Sequence, residues 1–285
     1  MHRLLLPLGA ALAALARLRL SPASSAPAAP DEPTATRTRW VDLCWNAGIM
    51  ALALYLLWRV TSYVSAGVSW RDVGEVLVLG GITLLRVTVL IALSSLLWVP
   101  LGILIGLRPK WAQAVQPLAQ FLAAFPANLL FPVFVIGIAH WHLNPDVWLS
   151  PLIVLGTQWY ILFNVIAGAS AYPNDYREVA ANFGIRGWQW WRRCMLPAVF
   201  PYYVTGAITA SGGAWNASIV SEVVQWGDTQ IVAHGLGAYI AQNTAAGDFP
   251  RIILGVSVMA LFVTLFNRLV WRHLYAYADT HLRMN

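Results

Sequence analysis

Nine residues lying between two long apolar runs carry the strongest recognition chemistry in the chain: Asp175, Tyr176, Arg177, Glu178, Ala180, Ala181, Phe183, Gly184 and Arg186. Pro173 ends the run before them, because proline cannot continue a backbone ladder. Asp175 can cap the amides of a new first turn, and Glu178 three residues on completes a capping box. Tyr176, Val179, Ala180 and Phe183 recur at i, i+3, i+4 and i+7, one face of a helix. Gly184 suits the left-handed position that ends such a helix. A helix of about eight residues is not stable alone in water, so the pattern predicts a short helix that docks into a partner. Ala180 and Ala181 permit close approach, while Arg177 and Arg186 offer charge to the rim. The segment Trp188–Met195 is aromatic and basic, suited to a membrane surface, and Leu196-Pro197 re-enters the bilayer. An amphipathic helix lying on lipid is the competing reading, but it gives no reason for the Glu178, Gly184 and Leu196-Pro197 spacing.

Bond-making chemistry finds little support. Lys110 is the only lysine and no glycine-rich loop precedes it, so the chain has no phosphate-cradling motif. His140 and His142 flank Trp141, and a two-residue separation does not set both rings on one helical face as metal ligands at i, i+4 would be. No nucleophile elbow or acidic pair falls within the apolar runs, so an intramembrane enzyme is disfavoured and no catalytic residue, metal or cofactor is expected. The two cysteines, Cys44 and Cys194, have neither zinc nor paired-thiol spacing.

A second set of polar residues sits inside the apolar runs. Asn128, Gln158, Asn164, Asn216 and Ser218 lie at membrane depth, where polar groups are costly and face a bundle interior or a water-filled route. They are the expected lining of a pathway, with Glu222 at its outer mouth as a gate or a partner for a loop cation. Interhelical hydrogen bonding is the alternative for each. Arg86 reads as a snorkelling arginine whose head reaches the interface, with an anion-guiding charge as the alternative.

The elements that must hold these residues follow from composition. Of 285 residues 59% are hydrophobic and 11% charged, which excludes an ordinary soluble domain. Six runs are each long enough to cross a hydrocarbon core of roughly 30 Å: Val41–Val64, Gly81–Leu107, Ala112–His140, Leu149–Ala171, Ala198–Val220 and Pro250–Trp271. Backbone groups in lipid must be paired within their own segment, so the spans are helices. Alternation at period two is absent, which argues against a β-barrel. With the loop around Glu178 in the cytosol, Arg108, Lys110, Arg177, Arg186, Arg192, Arg193 and Arg272 share one side. Arg71 and Arg251 fall on the other, together with Asp72, Glu75, Asp146, Glu222, Asp228 and Asp248. That asymmetry follows the positive-inside rule and sets both termini in the cytoplasm. The net charge of +6 is therefore topology, and no nucleic-acid partner is implied. Most of the fifteen tryptophans fall near expected interfaces as an aromatic belt.

Along the chain, residues 1–40 read as a cytosolic extension with a Ser/Ala/Pro-rich linker, or as the remnant of an upstream segment, with a secretory signal over Leu4–Ala16 as the alternative. Residues 41–79 hold the first span and an external loop, 80–275 the main transmembrane domain, and 276–285 a cytosolic tail. The loop Ser221–Phe249 is expected to form a small outer cap with a short helix near Gln230–Asn243.

The spacing Glu178-Val179-Ala180-x3-Gly184-x9-Cys194-x-Leu196-Pro197 resembles the coupling motif of ABC importer permeases, E-A-A-x3-G-x9-I-x-L-P. Val179 and Cys194 depart from it conservatively, one small or apolar side chain for another. Further stretches are similar to the nitrate, sulfonate, bicarbonate and taurine branch of that family. They are Thr83–Val87 through Gly102, Gln120–Pro126, and Gly212–Glu222, and the likeness spans about residues 80–275. The resemblance implies an all-α polytopic transmembrane bundle of the type I ABC importer permease kind, with about six spans and a cytoplasmic coupling helix. It implies an inner-membrane protein that works with a separate ABC ATPase subunit, an external solute-binding protein and a second permease copy or paralogue. The implied solute is a small anion such as nitrate, sulfonate or bicarbonate. An ion-driven secondary transporter or channel is the competing class, but it would want charged relays within the spans, and those are missing apart from edge arginines.

Overall fold

The computed structural model describes residues 34–65 and 67–281. The expected extension and linker lie outside the described residues up to position 33. The chain forms two units, Met1–Leu57 and Trp58–Asn285. The boundary falls inside helix α1 (Thr34–Ser65), whose apolar stretch Leu43–Val64 covers most of the first expected span.

Helix α2 (Trp70–Gly106) starts eleven residues before the expected span. The cause is a capping box: Ser69 Oγ accepts from the Asp72 amide at 3.3 Å, while the Ser69 amide donates to Asp72 Oδ2 at 2.8 Å. Arg71, Asp72 and Glu75, expected in a loop, are therefore helical. Val76, Thr83, Val87, Leu90, Ile91 and Ile103 bury one stripe of α2, and Leu85, Val89, Leu93 and Leu96 leave an exposed apolar stripe opposite. A helix apolar on both sides is what a lipid-facing span requires.

Two expected spans are broken. Helix α3 (Pro109–Ala124) and the segment Ala127–Trp141, which contains α4 (Phe131–Trp141), meet at 77°. The break lies at Phe125-Pro126, where proline supplies no amide and holds the preceding residue out of the helical region. A left-handed His142 ends α4. Helices α5 (Pro145–Trp148) and α6 (Ser150–Leu155) then meet α7 (Trp159–Ser170) at 45°.

After α7 come α8 (Asn174–Asn182) and α9 (Gly187–Trp190), then a widened π turn over Trp191–Met195 that runs directly into α10 (Leu196–Ser221). The π turn sits just before Pro197, whose ring and missing N–H disturb the ladder. Helix α10 is long enough to span at 26 residues. Its Ser, Thr and Gly content lowers its apolarity because α10 is the central helix and needs little lipid-facing surface. Gly206 lies on the backbone of Tyr160 and Ile161, Gly213 on Thr157, and Gly168 of α7 on the Tyr202 ring. Such contacts hold membrane helices together, since lipid gives no hydrophobic drive between them.

The segment beyond α10 departs from the expected cap. Strands β1 (Val223–Trp226) and β2 (Thr229–Val232) form an antiparallel hairpin with Val224 opposite Ile231. Its two-residue turn is Gly227-Asp228, with Gly227 at φ +59°, which suits hairpin twist. Helix α11 (Leu236–Ala246) follows, then α12 (Phe249–Phe266), a second π turn, and α13 (Arg272–His281). Val224 and Ile231 are the buried pair of this hairpin, a local strand pair among helices.

Candidate functional site

The loop from Pro173 to Pro197 builds the first candidate surface. Helix α8 begins with Pro173 at its N-cap and no side-chain cap bond. Asp175 and Glu178 consequently fall one and four residues inside the helix from Asn174, so the expected capping box does not form. Both are exposed, as are Ala181 and Arg186. The other end matches expectation. Gly184 has φ +66°; its amide donates to Ala181 O at 3.0 Å, and the Ile185 amide to Ala180 O at 2.9 Å. Those two bonds make a Schellman stop, which satisfies carbonyls the helix end leaves open.

The expected single apolar face of α8 divides in two. Ala180 is buried, 3% exposed, and packs the helix onto its own chain. Tyr176, Val179 and Phe183 remain exposed, Phe183 at 79%. Arg177 is half-buried, beyond Ala180 from the exposed face. Its guanidinium sits 6.0 Å from the Tyr172 ring centre, and its Nε is buried without a hydrogen-bond partner among the described residues. Burial pushes the Tyr172 phenol above its usual range, and the neighbouring Cys194 thiol adds to the effect.

The expected pathway residues separate by environment. Asn128 is exposed in the short turn before α4, and Asn216 is exposed on α10. Gln158 sits at the bend between α6 and α7, where its Oε1 accepts from Trp98 Nε1 at 2.9 Å. Asn164 Nδ2 donates to Tyr160 O at 2.8 Å. Ser218 and Glu222 are buried inside the chain, and Ser218 Oγ donates to Trp215 O at 2.7 Å. Sequence reasoning passed over Thr205 and Thr209. They share the exposed face of α10 with Asn216, at helical spacings of four and seven. Their hydroxyls donate to Pro201 O and Thr205 O, at 3.1 and 3.0 Å. The 205, 209, 216 recurrence was the available signal.

A charged cluster at the middle of α2 overturns the reading of Arg86 as a snorkeller. The Arg86 side chain is only 8% exposed. Its Nη1 meets Glu222 Oε1 at 2.5 Å, and its Nη2 donates to His234 O at 3.0 Å and approaches Asp146 Oδ1 at 3.4 Å. Glu222 also accepts from Thr83 Oγ1 and from the Ala238 amide, each at 3.0 Å. Thr83 Oγ1 in turn accepts from the Leu236 amide at 2.9 Å. Thr83 and Arg86 are three apart and share one helical face. The guanidinium turns inward because a carboxylate is buried there, and a buried charge must be paired. Glu222 is thus the partner of a span cation and not of a loop cation.

Comparison with known proteins fits this arrangement. Residues 98–283, well over half the chain, match the family described as binding-protein-dependent transport system inner membrane component. The nitrate import permease protein NrtB of Leptolyngbya laminosa is 28% identical over 188 residues, 66% of this chain and 64% of that protein. The bicarbonate transport system permease protein CmpB of Synechococcus elongatus is 28% identical over 204 residues, 72% of this chain and 67% of that protein. The osmoprotectant import permease protein OsmY of Salmonella typhimurium is 28% identical over 204 residues, 69% of this chain and 79% of that protein. This chain therefore spans about two thirds of the length of the first two relatives. Among solved structures, an inward-facing MetNI methionine ABC transporter chain aligns with a TM-score of 0.56 at 19% identity. The alignment covers 73% of this chain and 99% of that one, a likeness of fold. With the helical bundle, the Gly184-stopped helix and the family match in agreement, this chain belongs to the inner-membrane components of binding-protein-dependent transport systems.

Proposed function

We propose that the chain is the permease subunit of an ATP-driven importer, coupled to a separate ATPase through residues 173–197. The observation that carries this reading is α8. It is a nine-residue helix stopped by Gly184, with Tyr176, Val179 and Phe183 left exposed on a chain of this family. So short a helix with an uncovered apolar face needs a partner cleft. ATP hydrolysis belongs to the partner, and the solute arrives on an external binding protein. Gly184→Asp or Glu178→Arg leaves membrane insertion intact and uncouples uptake. Normal uptake with wild-type ATPase co-purification in both variants would sink the assignment.

The permease pairs with a second copy or a similar permease, because one bundle offers one coupling helix while two ATPase sites are used. Gln158 and Asn216 face the shared axis, together with Asn128, Asn164, Thr205 and Thr209. The exposed polar face of α10 supports this, since such a face is costly against lipid. Ser218 and Glu222, expected as lining, sit where they hold α10 and α11 in place. Native mass measurement on a functional complex tests the pairing, and a single permease chain in it refutes it. The solute is a small anion, on the likeness to nitrate and bicarbonate permeases, and binding measurements on the partner binding protein test that choice.

Both termini are cytoplasmic. A cysteine at Asp228 then reacts with an impermeant reagent from outside and one at Arg186 does not, and the reverse pattern overturns the orientation.

A further inference from the structure

A cleft of about 580 Å³ opens between the α2–α3 junction and the start of α8. Gln113, Gln116, Ser170, Asn174 and Arg177 line it, with the Tyr172 ring as one wall. Four are neutral polar groups, and Arg177 is the only charged residue in the lining. Ser170 Oγ already donates to Gly106 O at 3.0 Å. Arg177 is different, since its Nε is shielded from solvent and unpaired. A buried donor without an acceptor is destabilising, and Tyr172 stacking compensates only part of that. The lining thus presents a held cation and amide donors with no carboxylate, the inverse of an acidic group.

We propose that this cleft is a socket for an acidic side chain of the ATPase subunit. The proposal rests on the permease reading above and adds a second contact to the α8 face. Charge complementarity favours that occupant. Arg108, Lys110, Arg177, Arg186, Arg192 and Arg193 lie along the segments on this side, against Asp175 and Glu178. A guanidinium pairs with a carboxylate through parallel N–H bonds, and Tyr172 holds the fork in one orientation before the partner arrives.

The test titrates the ATPase subunit onto the full-length permease in lipid nanodiscs at low and high salt. Arg177→Gln weakens binding by about tenfold or more and flattens the salt dependence, as loss of one member of a desolvated charge pair does. Arg177→Lys recovers part of the loss. The double variant Gln113→Leu/Gln116→Leu keeps the cation and weakens binding about two- to threefold, in line with neutral hydrogen bonds. Phe183→Asp serves as the reference for the α8 face. If Phe183→Asp abolishes binding while Arg177→Gln binds as wild type, the socket is overturned and the coupling reading stands. If neither variant changes binding, both fall. If the Arg177→Gln effect vanishes when phosphatidylcholine replaces phosphatidylglycerol in the nanodisc, the cleft holds a lipid phosphate and the proposal is overturned.

Discussion

Arg86 and Arg177 are both partly or fully buried guanidinium groups, yet their surroundings are opposite. Twenty residues of α2 separate Arg86 from Gly106, which borders the Arg177 cleft, so the two regions lie about 30 Å apart along that helix. Around Arg86 the inner hydrogen bonds close: Glu222, Asp146, His234 O, Thr83 and the amides of Leu236 and Ala238 satisfy one another. Around Arg177 they stay open, with one unpaired Nε, one aromatic wall and an exposed apolar helix face alongside. A closed polar network is a finished structural joint, and on the proposal above the open one is where a partner docks. The contrast separates what holds this bundle together from the surface proposed for that partner.

The largest effect is expected at the closed end. Arg86→Met leaves the Glu222 carboxylate buried without its cation and costs about 3–5 kcal/mol. The readout is the unfolding midpoint and monodisperse yield in detergent. The double variant Arg86→Met/Glu222→Met removes both charges and should recover most of the loss. If the double variant is as unstable as the sum of the single ones, the pair is not the unit of stability. Recovery of transport in the double variant would also exclude Arg86 as an anion guide.

A smaller loss is expected between the two ends. Gln158→Leu and Asn216→Leu both lower transport, and Gln158→Leu in addition removes the acceptor of Trp98 Nε1 and costs about 1–3 kcal/mol, whereas Asn216→Leu leaves stability unchanged. Equal melting temperatures for both variants would show that the Trp98 bond carries no stability. At the open end, Gly184→Val forces a branched residue to φ +66°. It should cost about 1–2 kcal/mol, confined to the loop and visible as faster amide exchange in α8. The smallest stability effect belongs to Arg177→Gln. It forfeits the contact with Tyr172, about 0.5–1 kcal/mol, and at the same time removes a buried donor that has no acceptor among the described residues, so the melting temperature stays close to wild type; one lowered as far as by Arg86→Met would collapse the comparison.

Legibility followed the range of the interaction. The spans were readable because hydrocarbon imposes a length and an apolarity on each segment separately. The stop of α8 was readable because Gly184 and its two bonds involve neighbours within five residues. The capping box failed by a shift of register: Pro173 fixes the helix start, so Asp175 and Glu178 land inside the first turns. The hairpin was missed although Gly227-Asp228 between two short runs rich in Val, Ile, Thr and Trp signals it, because the surrounding helical pattern dominated the segment.

Sequence alone determined that this chain crosses a membrane as helices, that a short helix lies between Pro173 and Gly184, and which family it resembles. Each of those rests on local chemistry: apolar length, turn residues and a fixed motif spacing. Only the tertiary structure decided that Arg86 turns inward to Glu222, 136 positions away, and that Arg177 Nε is left without an acceptor among the described residues, beside a cleft. It also decided that Ser218 and Glu222 are interior while Thr205, Thr209 and Asn216 share an open face of α10. Such outcomes depend on which helices become neighbours. A charge is satisfied or left wanting by whatever packing brings to it, and no spacing along the chain records that.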